Sequence, residues 1–574
     1  MKTSSTRAWL GLCVVLALTL RVYGLQYGLP SVYNPDEVAI MARALSFAKG
    51  TLNPHNFLYP TFYFYVLFGW VGAYLGFVWL TGGVASVAAL QQLYFTDPTG
   101  IYTAGRLLGA VLGTLCVPAI YRLGRQLFDV RVGLAAAAFL AVAPLAVRDS
   151  HYVKHDIPAT LAVIVAMVTI VRVWPHGVEQ PGRSDGLLAG AACGVAFSTH
   201  YYCIFLALPL AWAIVRRWGS LGWRIVARHL FTAGFVSAVV FFALSPFILF
   251  EPITAWRDVT ANRAIVIDRA LESGPFAPAT RYAEILWTDS AGKAVVALAA
   301  AGAGLMLVVA PARALLLLAF PVAFFVLIAN TAPASRYLNP VLPFVVVLAA
   351  WTLAYVADSF GARKAAFALA VAACCLAPLR ASVRTGSFFR TPDTRAEAEA
   401  FIKTRIPAGS SILVQPYSVV LMQSRDGLVE ALSRHLGSLE NASTKFQLQL
   451  SLAPYPTPAY RLIYLGRGGL DVDKIYIDPD ALRSGSGLAP LRQLGVTYVV
   501  LKRYNEDSEI KELAAELSRQ GRLIAAFSPF KASVPDAQRV GIAPFLHNTD
   551  TRIDDALERP GPPLEIWQLD GPDP

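Results

Sequence analysis

Charge is scarce in this sequence: Asp, Glu, Lys and Arg make up 15% of its 574 residues, against 55% hydrophobic residues and a mean hydropathy of +0.50. That balance excludes an ordinary soluble fold and points to a polytopic membrane protein. Cysteine is scarce as well. The six cysteines (Cys13, Cys116, Cys193, Cys203, Cys374 and Cys375) all fall in apolar runs, and the mixed, charged stretch after Leu379 has none. A disulfide framework and a cysteine-based zinc site are therefore not indicated. Internal repeats and low-complexity tracts are missing too, which removes solenoids and disordered arrays. What is present is a net charge of +11. In a soluble protein it would suggest nucleic acid, but here the basic residues gather in short loops between apolar runs, where they report topology and imply no nucleic-acid partner.

The N-terminal "MKTSSTRAWLGLCVVLALTLRVYG" sets Lys2 and Arg7 ahead of a short apolar core, with no small-residue cleavage site after Leu20. It reads as an uncleaved first helix whose N-terminus is cytoplasmic. Basic clusters at Arg122, Arg125 and Arg131, at Arg172 and Arg183, at Arg216, Arg217, Arg224 and Arg228, and at Arg363 and Lys364 are assigned to the same side. Helices at Trp9 to Leu25, Ile101 to Tyr121, Val132 to Val147 and Ile157 to Val171 satisfy this placement. So do a hairpin of short helices between Leu187 and Val215, turning at Thr199 to Tyr201, and helices at Leu230 to Phe250, Ala294 to Ala310, Ala314 to Ile328, Leu338 to Val356 and Ala365 to Leu379. That makes about eleven spans.

Leu58 to Leu80 breaks the scheme, because one more crossing there would invert every later loop. It is expected to lie embedded along the outer face, anchored by Tyr59, Tyr63 and Tyr65; a return through Val84 to Phe95 would give thirteen spans, but Gln91, Gln92 and the glycines make that helix poor. The expected organisation is thus a transmembrane domain over 1–380, with a first outer loop at 26–57 and an embedded segment at 58–95. A periplasmic or otherwise extracytoplasmic α/β domain follows over 381–574, outside the inner (plasma) membrane. In that tail "DTRAEAEAFIKTRIPAG" and "SEIKELAAELSRQG" read as helices, and "SSILVQ", "LGVTYVVLKRYN" and "RLIAAFSPF" as strands.

Four polar groups fall at outer ends of these helices: Asp36 with Glu37, "RDSHYVKHD" (Arg148 to Asp156), Thr199 to Tyr201, and "ASRYLNP" (Ala334 to Pro340). Charges at the lipid–water boundary are costly unless paired or used. Such a set suits transfer of a sugar from a polyprenyl phosphate. The departing phosphate wants cations, the acceptor wants a carboxylate base on the opposite face of the sugar, and the oxocarbenium-like transition state rewards negative charge nearby. Arg336, at an outer helix start where a cation opposes the helix dipole, is a candidate for the donor phosphate, as are His151, Lys154 and His155. Each also has a plainer reading. Asp36 and Glu37 open a helix at Pro35, Asp156 can cap one before Pro158, and the loop histidines and Lys154 can simply face lipid headgroups. His200 reads as a turn residue, and Tyr201 and Tyr202 as interfacial anchors.

"NPDEVAIMARAL", "HYVKHDIPATLAV" and "SRYLNPVLPF" resemble the GT-C glycosyltransferases, above all the protein O-mannosyltransferase and lipid A aminoarabinose transferase group, over about the first two thirds of the chain. The resemblance implies a membrane hexosyl or pentosyl transferase using a polyprenyl-phosphate sugar donor, with a protein, lipid or polysaccharide as acceptor. It places the catalytic base at Asp36 or beside it at Glu37, and a second site acid at Asp156. It also implies an embedded segment after the acidic loop, entered in relatives through a Lys-Pro or His-Pro-Pro sequence. Here "FLYPTFYF" puts Tyr59 in the basic position, leaving His55 as the nearest substitute for a phosphate contact. The alternatives are a ligase or polymerase acting on lipid-linked glycans and, more remotely, a transporter, although the charges sit at one face and no inverted symmetry is visible. A divalent metal could be held by Asp36, Glu37 and a histidine, yet no close ligand spacing is present, so no metal or other cofactor is expected.

Overall fold

The computed structural model describes residues 3–175, 184–263, 274, 276–468, 471–482, 487–504, 506, 508–546 and 552–569. Lys2 and Arg183, used above to orient the chain, lie outside them. Among the described residues nine helical stretches are long and apolar enough to cross a membrane, and three shorter apolar helices accompany them, so the chain is a polytopic helical membrane protein. In chain order its first helices are α1 (Thr3–Val22), α2 (Pro35–Leu45), α3 (Phe62–Leu80), α4 (Val87–Thr96), α5 (Thr99–Leu127), α6 (Val130–Ala141), α7 (Pro144–Asp149), α8 (Asp156–Val173), α9 (Asp185–Thr199), α10 (Ala207–Trp218) and α11 (Trp223–Leu244). Further apolar helices follow at Lys293–Val309, Pro311–Ile328, Leu342–Ser359 and Lys364–Phe389. The expected hairpin is present as α9, a 3₁₀ turn at Tyr201–Leu206, and α10.

The single helix expected at Val132 to Val147 is two, because Pro144 cannot donate to the turn before it and restarts the helix as its first residue. The break leaves carbonyls without partners inside an apolar bundle. Arg21, fully buried in α1, supplies them: its Nη1 donates to Ala141 O at 3.0 Å and its Nη2 to Leu140 O at 3.3 Å. An arginine inside a membrane helix is expensive unless its charge meets acceptors; here both terminal nitrogens do, while Nε has no hydrogen-bond partner among the described residues.

α3 is one continuous helix that packs on α2 and α5 through Tyr63, Phe64, Leu67 and Val71. α4 has ten residues, about 15 Å of helix, too short to return across a hydrocarbon core of about 30 Å. The thirteen-span alternative thus loses its return helix. If α3 stays on the outer face, cysteines placed at Gly82 and Gly83 will label with an impermeant reagent from outside in right-side-out vesicles. Labelling only in inside-out vesicles would make α3 a full crossing.

The C-terminal part is an α/β domain on a six-stranded sheet: β1 (Ser411–Val414), β2 (Arg461–Leu465), β3 (Ile475–Ile477), β4 (Tyr498–Lys502), β5 (Gly521–Phe527) and β6 (Leu564–Leu569) in the order β3-β2-β1-β4-β6-β5. β1 to β4 run parallel, and β5 and β6 complete an antiparallel edge. Successive strand side chains point to opposite faces. Ile412, Val414 and Val500 pack on the helix Thr394–Arg405 through Ala398 and Ile402, whereas Leu413, Val499 and Leu501 pack on Leu513 and Leu517 of Ser508–Gln520. Both faces being covered explains why these strands read as unbroken apolar runs. The membrane helix Lys364–Phe389 runs almost directly into Thr394–Arg405. Its last residues, Phe388 and Phe389, cluster with Tyr27 and Tyr152, so the domain sits on the segment between α1 and α2.

Candidate active site

Asp36 and Glu37 are neighbours in sequence that the first turn of α2 sends to different places. Asn34 is the N-cap, its side chain accepting from the Asp36 N–H at 3.1 Å, and Pro35 takes the first helical position. Consecutive helical side chains diverge by about 100°. Glu37 points inward, fully buried, and is gripped by Arg106 of α5 through Nε–Oε1 at 3.0 Å and Nη2–Oε2 at 2.9 Å; the Val153 N–H also donates to it, at 2.9 Å. Arg106 donates as well to the carbonyls of Leu25 and Tyr27. Glu37 therefore anchors the loop, and a carboxylate committed to three donors with no exposure is in no position to take a substrate proton.

Asp36 keeps 38% of its side chain exposed. Lys154 Nζ stands 3.1 Å from its Oδ2, and Arg336 Nη2 stands 3.7 Å from the same oxygen. Burial opposes ionisation of Asp36, but Lys154 and Arg336 outweigh it and hold the carboxyl below its ordinary value. Lys154 is itself pushed down by burial and by Arg336, with Asp36 opposing. The two cations meet because a buried network ties their segments together: Arg148 pairs with Asp149 at 2.6 Å and donates to Ser335 Oγ at 2.8 Å, and Asn339 donates to Asp149. This joins the α7 end of the Lys154 loop to the 3₁₀ turn Ser335–Val341 that carries Arg336.

The remaining sequence candidates are placed as follows. Asp156 is buried as the first residue of α8, where its charge acts on Lys154. His151 is buried with Nδ1 at 2.8 Å from Val147 O and Nε2 at 3.1 Å from Tyr23 O, and burial pushes it down to about 4. A neutral ring spent on backbone is a tie between α7 and the end of α1, not a phosphate ligand. His155 is buried, stacked on Tyr59 at 4.2 Å and held well below its ordinary value, first by burial, so it brings no cation to a phosphate. His55 is exposed and stands 3.2 Å from Glu251. Among the described residues no group of three or more His, Cys, Asp or Glu is placed to hold a metal ion.

Sequence reasoning missed the supports. Arg106 carried a readable signal, a lone charge inside an apolar helix. Glu399 carried none, being one of two acids in "TRAEAEAF". It is buried and accepts from Ser31 Oγ, from Tyr33 OH at 3.1 Å and from the Val420 N–H at 2.9 Å. Arg395, paired with Asp393 at 2.7 Å, lies 4.0 Å over the Tyr33 ring, and Tyr27 OH donates to Asp393. The C-terminal domain thus grips the loop just ahead of Asn34 and Asp36. Glu399→Ala is expected to lower the turnover of whatever reaction Asp36 serves more than it lowers affinity for the lipid substrate. Equal effects on both, with a fall in melting temperature, would reduce Glu399 to a fold contact.

Residues 100–250 match the family model for dolichyl-phosphate-mannose-protein mannosyltransferase. The GT-C resemblance read from the motifs is borne out. The matched stretch holds Arg106, Lys154 and Asp156, and stops short of Asp36 and Arg336. Solved structures similar to this chain include ArnT from Cupriavidus metallidurans bound to undecaprenyl phosphate, at 13% identity and TM-score 0.49, covering 92% of this chain and 97% of that one. The oligosaccharyltransferase AglB from Archaeoglobus fulgidus, in complex with an inhibitory peptide and a dolichol-phosphate, is similar at 11% identity and TM-score 0.49, covering 99% and 89%. The protein O-mannosyltransferase complex of S. cerevisiae bound to the sugar donor shares 20% identity at TM-score 0.35, covering 44% and 35%. No curated protein sequence matches the chain.

Proposed function

We propose that the chain is a membrane glycosyltransferase that moves a sugar from a polyprenyl phosphate to an acceptor on the outer side of the plasma membrane, with Asp36 as general base. The observation that carries this reading is one partly exposed carboxylate set against two cations from separate segments, at 3.1 and 3.7 Å. At rest Lys154 and Arg336 hold Asp36 ionised. A lipid phosphate entering the site competes for the same cations through charge-assisted contacts, which steadies it as a leaving group and frees Asp36 to accept the proton of the attacking hydroxyl or amine. Attack from the face opposite the phosphate inverts the anomeric carbon, as displacement by a single base-activated nucleophile requires. Asp156 shares the cations and keeps Lys154 charged. His55 and His151 have no part in this scheme, and Glu37 acts through the shape of α2.

Arg336→Ala is expected to weaken binding of the lipid phosphate by about 1.5–3 kcal/mol, the usual worth of a hydrogen bond to a charged group, with acceptor use little altered. Titration of purified protein in nanodiscs with polyprenyl phosphate reads this directly, and unchanged affinity would return Arg336 to a purely structural pairing. The reaction itself is tested by incubating the parent protein with a panel of polyprenyl-phosphate sugars and a membrane extract as acceptor source. Release of polyprenyl phosphate supports the proposal; an intact donor pool across the panel contradicts it.

A further inference from the structure

Beside the charged cluster, five rings from three chain segments form a continuous column. His155 stacks on Tyr59 at 4.2 Å between ring centres and meets Tyr63 edge-on at 4.7 Å; Tyr59 meets His200 edge-on at 5.2 Å, and His200 stacks on Tyr202 at 3.8 Å. Tyr63, His155 and Tyr202 are buried at 1%, 2% and 6% exposure, whereas Tyr59 and His200 are partly exposed and form the rim. The hydroxyls of Tyr63 and Tyr202, both nitrogens of His155 and Nδ1 of His200 have no hydrogen-bond partner among the described residues. Buried polar groups are nearly always paired. Five unpaired atoms along one stack therefore call for a partner that the protein's own side chains do not provide.

The chemistry of the column narrows what that partner is. Burial holds His155 well below its ordinary value, and burial with the nearby charge of Arg336 holds His200 at about 3, so both imidazoles are neutral. A neutral imidazole offers one donor and one acceptor, and a phenol offers both. The column thus presents uncharged donors and acceptors set between flat aromatic faces. That is poor for a phosphate, which Lys154 and Arg336 suit, and good for a polyhydroxylated ring, whose hydroxyls need both kinds of partner and whose C–H face packs on aromatic carbon. The same Arg336 charge acts on Tyr59 and His200, so the rim of the column lies within electrostatic reach of the proposed phosphate site.

We infer that this column is the sugar-recognising face of the site, binding the donor's hydroxyl groups while Lys154 and Arg336 hold its phosphate. The inference rests on the proposed function. Its test uses Tyr63→Phe, Tyr202→Phe and His200→Phe, each of which keeps a ring and removes polar atoms. Affinities for bare polyprenyl phosphate and for polyprenyl-phosphate mannose and polyprenyl-phosphate glucose are measured on the full chain in nanodiscs, with melting of the ligand-free protein alongside. The parent binds one of the sugar esters more tightly than the bare phosphate; each variant loses five-fold or more of that preference, keeps its affinity for the bare phosphate, and melts no lower, since the atoms removed have no partner in the protein. A preference unchanged in all three variants, or a parent that binds bare phosphate and shows no preference for either ester, overturns the inference and leaves the proposed function standing. A parent that binds neither phosphate nor ester overturns both.

Discussion

Asp36→Asn is expected to slow sugar transfer by about 100-fold or more, the usual range for removing a general base, in a protein that folds and binds donor as before. The fold survives because Asn34, and not Asp36, caps α2, and because the grip on this loop comes from Glu37 with Arg106 and from Tyr33 with Glu399. Donor binding survives because Lys154 and Arg336 remain, no longer paired with Asp36. The pH profile follows from the same geometry. Burial raises the Asp36 pKa, but the two cations lower it further, so its folded value is depressed. Its pairing therefore adds stability above the ordinary aspartate value of about 3.9, which fades as pH falls through the folded value, and the base stays ionised over that range. The acid limb of the parent's rate profile should accordingly lie below about pH 3.9 as far as Asp36 alone sets it. Single-turnover transfer from a labelled donor reads the effect. An Asp36→Asn variant that transfers at the parent rate returns "YNPDEVAI" to a helix start.

Loss of Arg106 is the second large effect, and it works through the fold. Arg106 and Glu37 are 2% and 0% exposed, and removing one partner of such a buried pair leaves the other charge without compensation, at about 3–5 kcal/mol. Arg106→Ala also strips the Leu25 and Tyr27 carbonyls of their donor. The expected outcome is a lower melting temperature, with hydrogen exchange rising first in the segment between α1 and α2. Glu37→Gln should show the same local loosening to a smaller extent, since the amide still fills the space and still accepts one donor. Transfer falls in both variants because Asp36 loses its fixed position, whereas Asp36→Asn leaves the fold intact. If Arg106→Ala melts like the parent and turns over normally, the two-sided grip on Asp36 is not what positions it.

Much of this was legible in the residues, and the reasons differ from element to element. The membrane helices announce themselves by composition, and the "YNPDEVAI" motif locates α2 because Pro35 and the acids after Asn34 are helix-start chemistry. Asp36, Lys154 and Arg336 stand out because all three lie at ends of apolar segments, but that the two cations pair with Asp36 is visible only in the fold. What the sequence hides is which way a side chain turns once the helix forms. Nothing local distinguishes Asp36 from Glu37; the difference is made by Arg106, some seventy positions on. His151, Lys154 and His155 likewise stand together in one loop, yet one ring is consumed by backbone carbonyls, one amine faces Asp36, and the other ring joins an aromatic stack. In the C-terminal domain the strands at Ser411–Val414 and Tyr498–Lys502 are visible as apolar runs, while β3, at three residues, is too short to carry a pattern. Glu399 is silent in sequence because its role arises only when the domain docks on Ser31 and Tyr33.

In the proposed reaction Lys154 and Arg336 hold a polyprenyl phosphate at Asp36. Native mass spectrometry of the protein released from nanodiscs loaded with polyprenyl phosphate among bulk phospholipid tests it in one measurement, run on the parent and on the Lys154→Ala, Arg336→Ala double variant. The parent is expected to retain one polyprenyl phosphate per chain, and the double variant, folded and carrying the same bulk lipids, to retain none. Equal retention by both, or a parent that carries only bulk phospholipid, would contradict it.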